Sequence, residues 1–165
     1  MNNILESKRL YIRPFVFEDA KGIFKSWQSK KEAFQYLDSL PFEWLDESKV
    51  YIIERLPHYA KPFFFDWVIE RKEDGALLGE INAAYSKRQH SVEIGYILNP
   101  EETRKGYMFE ALQTVFSYFK TVPEIEIIYG KCVKENLASK RLMEKLGMQF
   151  LEEKDGLETY QLHLQ

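Results

Sequence analysis

The stretch of this chain that most restricts its fold runs from residue 91 to residue 119. Ser91-Val92-Glu93-Ile94-Gly95-Tyr96-Ile97-Leu98 alternates, with Val92, Ile94, Tyr96 and Leu98 on one face and Glu93, Gly95 and Ile97 on the other. After Asn99-Pro100 and a turn that ends at Gly106, the apolar residues Met108, Ala111, Leu112, Val115, Phe116 and Phe119 recur at helical spacing. A strand that turns through a glycine loop into so apolar a helix needs a sheet for the helix to lie on.

The rest of the chain supplies that sheet. Residues 9–13 alternate and then meet Pro14, which reads as a short first strand. Residues 18–27, 30–37 and 46–58 carry apolar positions at three- and four-residue spacing, with Pro41 and Pro57 as breaks, and predict two or three helices. Residues 63–70 and 76–85 are β-rich runs around an Asp74-Gly75 turn. Residues 126–133 predict a buried strand, and Ala138, Leu142, Met143 and Leu146 a helix closed by Gly147. Residues 148–152 and 157–164 form a last hairpin around Asp155-Gly156. The expectation is one α/β (α+β) domain over residues 1–165, with a mixed central sheet of about seven strands flanked by helices.

Composition narrows the function. The 23 basic and 26 acidic residues leave a formal net charge of -3, so there is no bulk attraction to nucleic acid or to anionic lipid. Cys132 is the only cysteine, which rules out an internal disulfide and a cysteine-rich zinc site and suits a reducing cytoplasm. Neither the first residues nor any later run has the apolar length of a signal peptide or a membrane span. No nucleic-acid or membrane partner is expected, and the chain is expected to be a cytoplasmic monomer or homodimer.

Chemistry concentrates after the strand at 91–98, in Asn99-Pro100-Glu101-Glu102-Thr103-Arg104-Lys105-Gly106-Tyr107-Met108-Phe109. A helix start offers unpaired N–H groups and a partial positive charge, which together suit a pyrophosphate. Gly106 permits close approach, and Arg104 and Lys105 add charge, although an ordinary solvated loop would use the same residues. A second segment, Asn136-Leu137-Ala138-Ser139, opens the next helix.

Taken in order, these segments resemble the GNAT superfamily of N-acetyltransferases, from about residue 7 to the end. The opening Arg9-Leu10-Tyr11-Ile12-Arg13-Pro14, followed by Glu18-Asp19-Ala20, is similar to the branch of ribosomal-protein N-terminal acetyltransferases. The resemblance implies a sheet splayed at the cofactor site, with the pantetheine of acetyl-CoA paired to the backbone of Tyr96, Ile97 and Leu98. It places the pyrophosphate on the backbone of Arg104, Lys105, Gly106, Tyr107, Met108 and Phe109. The family's loop pattern falls on Glu101, Arg104 and Gly106, and this chain departs from it at Glu101 and Arg104. Asn136 matches the family asparagine that bonds pantetheine or a strand backbone, and also suits a helix N-cap. Met143 stands where the family usually has a tyrosine acid; Ser139 matches the serine that the resemblance places beside the cofactor sulfur, and it reads equally as an ordinary first-turn helix serine.

Acetyl transfer to an amine requires a neutral nucleophile, stabilisation of the oxyanion and discharge of the thiolate, and it needs no metal. Glu93, a mid-strand carboxylate near the expected splay, is the leading candidate for the base. Its alternative is a solvent-facing residue paired with a lysine or arginine. Glu80, Asp66 and His90 stand in reserve, and Cys132 reads as core. The branch resemblance favours the α-amine of a protein or peptide as acceptor, attacked directly in a ternary complex. A small-molecule amine acetyltransferase and a CoA-binding module without catalysis are the rival readings. The helices of residues 18–58 are expected to frame the acceptor; Trp27, Phe34, Tyr36, Phe42, Trp44 and Tyr51 cluster there with Glu43, Asp46 and Glu47, a mixture that suits a cation, while most of these aromatics read as core.

Overall fold

A computed structural model describes residues 4–164. It has one sheet of eight strands, β1 (Leu5–Glu6), β2 (Leu10–Arg13), β3 (Phe64–Arg71), β4 (Leu77–Ser86), β5 (Ser91–Leu98), β6 (Ile127–Val133), β7 (Gln149–Lys154) and β8 (Leu157–His163). The spatial order is β1-β2-β3-β4-β5-β6-β8-β7. All neighbours are antiparallel except β5 and β6. The strand beyond the expected seven is the two-residue β1, too short to show an alternation in sequence.

The helices are α1 (Ala20–Ile23), α2 (Leu45–Arg55), α3 (Tyr107–Phe119) and α4 (Leu137–Lys145). The helix expected over 18–27 is real but uneven. A 3-10 turn at Phe17–Asp19 runs into α1, which loosens into a π-helical turn at Phe24–Gln28. The helix expected over 30–37 is only the 3-10 turn Lys31–Phe34, because a segment with no fully buried residue lacks the packing that would lengthen it. The Asp155-Gly156 turn has both residues at positive φ (53° and 79°), the conformation that a two-residue hairpin demands.

Two cores lie on opposite faces of the sheet. On one, the α3 residues Ala111, Leu112, Val115 and Phe119 are fully buried against Trp67, Ile81, Val92 and Ile128. Leu112, Val115 and Phe119 each contribute about 1.5–3 kcal/mol, and α3 is the crossover that a parallel β5–β6 pair requires. On the other face, Phe15, Ile23, Trp27 and Ile52 cover Val68 and Ile97. The register between β4 and β5 places Glu80 opposite Ile97 and Asn82 opposite Gly95, so these polar groups lie under α1 and α2.

The parallel pairing of β5 and β6 runs only from Ser91–Ile127 to Ile94–Gly130. Beyond it β5 stays bonded to β4 while β6 stays bonded to β8, and the strands part. Gly79 keeps the β4 side of this opening in place, since a Cβ there would lie 2.2 Å from the carbonyl oxygen of Ile97. Gly79→Ala must therefore displace backbone at Ile97 and Leu98. A loss of about 1–3 kcal/mol or more in urea unfolding is expected, and an unchanged midpoint would show that β5 yields freely there.

Candidate active site

The parting of β5 and β6 opens a cavity of about 260 Å³ lined by Tyr96, Ile97 and Leu98 of β5, Met108 of α3, and Asn136, Ala138 and Ser139 at the start of α4. Gly130 lets α4 lie against β6, because any Cβ there would meet Met143 Sδ at 2.6 Å. With Met143 fully buried as core, the N-terminus of α4 points at the gap. Asn136 accepts from the Ser139 N–H at 3.2 Å as N-cap while also lining the cavity. The Ser139 hydroxyl is hydrogen-bonded to the Tyr96 hydroxyl at 2.5 Å. Burial pushes the Tyr96 phenol up to about 12, with the bond to Ser139 opposing it. The Cys132 thiol is raised by burial too, which fits a core cysteine.

The glycine turn sits at the other end of the gap. Gly106 is the N-cap of α3 at φ 79°, and the first helical bond runs from Glu110 N–H to Gly106 O. The N–H groups of residues 107–109 are left without helical acceptors, as an anion site requires. Arg104 stands at φ 63°, so an arginine occupies left-handed backbone of the kind that glycine adopts without strain. Lys105 pairs with Glu102 at 2.9 Å. Tyr107 and Phe109 contribute backbone only: the Tyr107 ring is buried beneath the Arg9 guanidinium, and the Phe109 ring packs under Lys145.

Arg9 was invisible as a loop residue in sequence, lying almost a hundred positions earlier. It donates from Nη1 to Lys105 O at 3.0 Å and from Nε to Glu110 at 2.6 Å, and Glu110 also accepts from the Ser7 hydroxyl. The turn between β1 and β2 thereby clamps the glycine turn to the first coil of α3.

A second cavity, of about 370 Å³, lies under the helices at the start of the chain. Trp27, Phe34, Phe42, Tyr51, Glu80, Asn82 and Gly95 line it, and it shares Leu37, Tyr96 and Ile97 with the first. Of the expected aromatic frame, Trp27, Phe34, Phe42 and Tyr51 line this cavity, Tyr36 lines the first, and Trp44 is 70% exposed and lines neither.

Its acidic group is Glu80. Oε1 accepts from the Tyr51 hydroxyl at 2.8 Å; Oε2 is buried and makes no hydrogen bond of full geometry among the described residues, and the donor beside the carboxylate is the buried indole N–H of Trp27, likewise left without a full bond. Burial, then the charge of Asp66, pushes this carboxyl up to about 7. Asp66 itself is raised to about 6 by burial, against the pull of Arg55 at 2.7 Å.

Glu93 does not occupy that position. It lies on the same face as Gly95, but at the far end of β5 opposite Ala84, lines neither cavity, and pairs with Lys131 at 2.8 Å with about half its side chain exposed. The alternation gave its face correctly; the covering helices end before they reach it. His90 is exposed.

The chain belongs to the GNAT acetyltransferases: the model of the acetyltransferase (GNAT) domain matches residues 9–149. It is an acyltransferase, 31% identical over 144 residues to the N-acetyltransferase YnaD of Bacillus subtilis (strain 168), covering 87% of this chain and 81% of that one. The fold is also that of RimL, a ribosomal L7/L12 α-N-protein acetyltransferase solved with coenzyme A. The TM-score is 0.85, with 17% identity and 98% of each chain covered. The microcin C7 self-immunity acetyltransferase MccE, solved with acetyl-CoA and AMP, superposes with a TM-score of 0.83, 15% identity and coverage of 95% and 93%.

Two outcomes follow from this geometry. Arg104→Gly is expected to be at least as stable as the parent, while Arg104→Val, branched at Cβ, should unfold about 1–2 kcal/mol below Arg104→Gly in matched denaturant titrations. Glu80, with a folded value near 7 against 4.5 when unfolded, binds its proton more tightly in the native state. Its stabilising share is complete below about 4.5 and is lost as pH rises to about 7. Glu80→Gln should therefore be more stable than the parent at pH 8, by roughly 1–3 kcal/mol, and should lose that advantage by pH 4; a constant difference in Tm across the range would contradict the assigned shift.

Proposed function

We propose that this acyltransferase carries the acetyl group of acetyl-CoA to a primary amine, the α-amine of a protein or peptide, by direct attack. The observation that carries this reading is Glu80, a buried carboxyl that lines a cavity joined to the cofactor gap across Tyr96 and Ile97. A carboxylate near 7 is then matched to take the proton of an α-amine, whose ordinary pKa is near 8. A lysine or polyamine nitrogen, above 10, costs roughly 3–4 kcal/mol more to deprotonate at neutral pH.

The residues toward the cofactor fit the same reading. The β5 edge beyond Ile94 offers backbone to pantetheine, and the first turn of α3 offers N–H groups to the pyrophosphate. Ser139, in the first turn of α4 and lining the gap, is positioned toward the thiol end. That the similar structures include a protein N-terminal acetyltransferase supports a peptide acceptor, and the presence of MccE among them keeps a small-molecule amine as the second reading.

Thiol release from acetyl-CoA, measured across free-N-terminus peptides, N-terminally blocked lysine peptides, polyamines and free amino acids, tests this. Free-N-terminus peptides should turn over best. Glu80→Gln should lose at least about tenfold in kcat/KM near pH 7 and lose its rising limb through that pH, while Glu93→Gln stays close to the parent. Preference for polyamines would move the acceptor to the second reading, and no release with any amine would leave a CoA-binding module.

A further inference from the structure

The cavity walls hold one polar pair that the acceptor chemistry does not use. Tyr96 lies on the α3 face of β5, is largely buried, and places its hydroxyl against that of Ser139. The position that would carry a tyrosine acid on α4 is filled by Met143, buried against Gly130, so no phenol comes from that helix. A serine has one hydrogen to donate and two lone pairs to accept with. Left alone, Ser139 can turn that hydrogen toward any nearby acceptor. With the phenol donating to one of those lone pairs, the serine's own hydrogen is turned away from Tyr96, toward the cavity or toward the neighbouring Cys132 thiol.

We propose that Tyr96 is a positioning residue for the acyl-transfer step, donating to Ser139 so that the Ser139 hydroxyl points its hydrogen at the sulfur of the departing CoA. This deepens the function proposed above and rests on it. In the step, the amine nitrogen bonds to the thioester carbon, the C–S bond breaks, and its electron pair stays on sulfur. The proton lost by nitrogen goes to Glu80 and from there to solvent, and the CoA thiolate is reprotonated from solvent. Neither hydroxyl ionises; the pair lowers the energy of the charge growing on sulfur, as the positive end of α4 does beside it. A phenol held near 12 keeps its proton across the neutral range, which is what a permanent donor needs. Tyr96 also lines both cavities, while its hydroxyl serves the thiol side.

The test is a double-mutant cycle with Tyr96→Phe, which keeps the ring, and Ser139→Ala. Tyr96→Phe should lower kcat at least about fivefold with acceptor KM and calorimetric CoA affinity within about twofold of the parent. The double variant should fall no further than Ser139→Ala alone, because both substitutions remove one donor. A second readout needs no turnover: the thiol pKa of bound CoA, followed by thiolate absorbance with desulfo-CoA as blank, should be depressed in the parent and rise in both single variants. Losses that multiply, or a thiol pKa that does not respond to Tyr96→Phe, overturn the inference. If no amine is acetylated, the proposed function fails, yet the thiol pKa still decides whether Tyr96 acts through Ser139.

Discussion

Everything functional in this fold depends on where one parallel strand pair stops. β5 and β6 are held together from Ser91–Ile127 to Ile94–Gly130 and then part, each remaining bonded to its other neighbour. The opening costs little because neither strand is left alone: β4 follows β5 to Leu98, and β8 follows β6 to Val133. The backbone groups on the facing edges are left for something other than a strand to satisfy. A cofactor whose arm carries amides is the ligand such an edge suits. Gly79 on one side and Gly130 on the other mark the places where backbone or helix must come too close for a side chain.

The same opening brings the two cavities together. Ile97 and Tyr96 are neighbours on β5, so their side chains project to opposite faces of the sheet, and both line the two cavities. Across the β4–β5 ladder, Glu80 is the residue directly opposite Ile97. A carboxylate on that face is within reach of the junction by register alone, and the helices above it supply the burial that moves its pKa. Asp66, two register steps further along the same face, raises Glu80 further, while Arg55 bonds to Asp66 and limits the excess of negative charge. The group is tuned by a neighbourhood drawn from β3, β4 and α2, not by a local motif.

That difference separates what was legible in the sequence from what was not. The alternation at 91–98, the stripe from Met108 to Phe119 and the Asp-Gly turns are local patterns with direct physical causes, and they produced the sheet, its main helices and the cofactor-facing segments. Asn136 as an N-cap at the gap followed from the same local logic. The short β1 and the broken helix around Phe24 did not, since their conformations are set by packing and not by periodicity. Glu93 and Glu80 are both mid-strand glutamates on adjacent strands and, by register, on the same face. Only the pairing of Glu80 with Ile97 and of Glu93 with Ala84 tells which one sits under the helices. Arg9 is the same case at longer range: its contact with Lys105 and Glu110 joins the β1–β2 turn to α3, and no spacing rule links them.

Two of the departures from the family pattern, at positions 104 and 143, can be weighed on the same physical terms. At position 104 an arginine adopts the left-handed backbone at φ 63°, so the turn keeps its shape at a cost of about 1–2 kcal/mol. The clamp from Arg9 to Lys105 O and to the carboxylate of Glu110 holds that turn from outside, and a charge-assisted bond is of the size needed to offset such strain. The donors for an anion are main-chain N–H groups, which the exchange of side chain leaves in place. At position 143 the change is of another kind, because methionine removes a hydroxyl that nothing on α4 replaces in kind. The hydroxyls that line the gap there are the Tyr96–Ser139 pair, one member on the splayed strand and one on the helix. A donor built across two elements responds to their separation, so it is in place only when β5 and α4 stand at the distance that the gap itself requires.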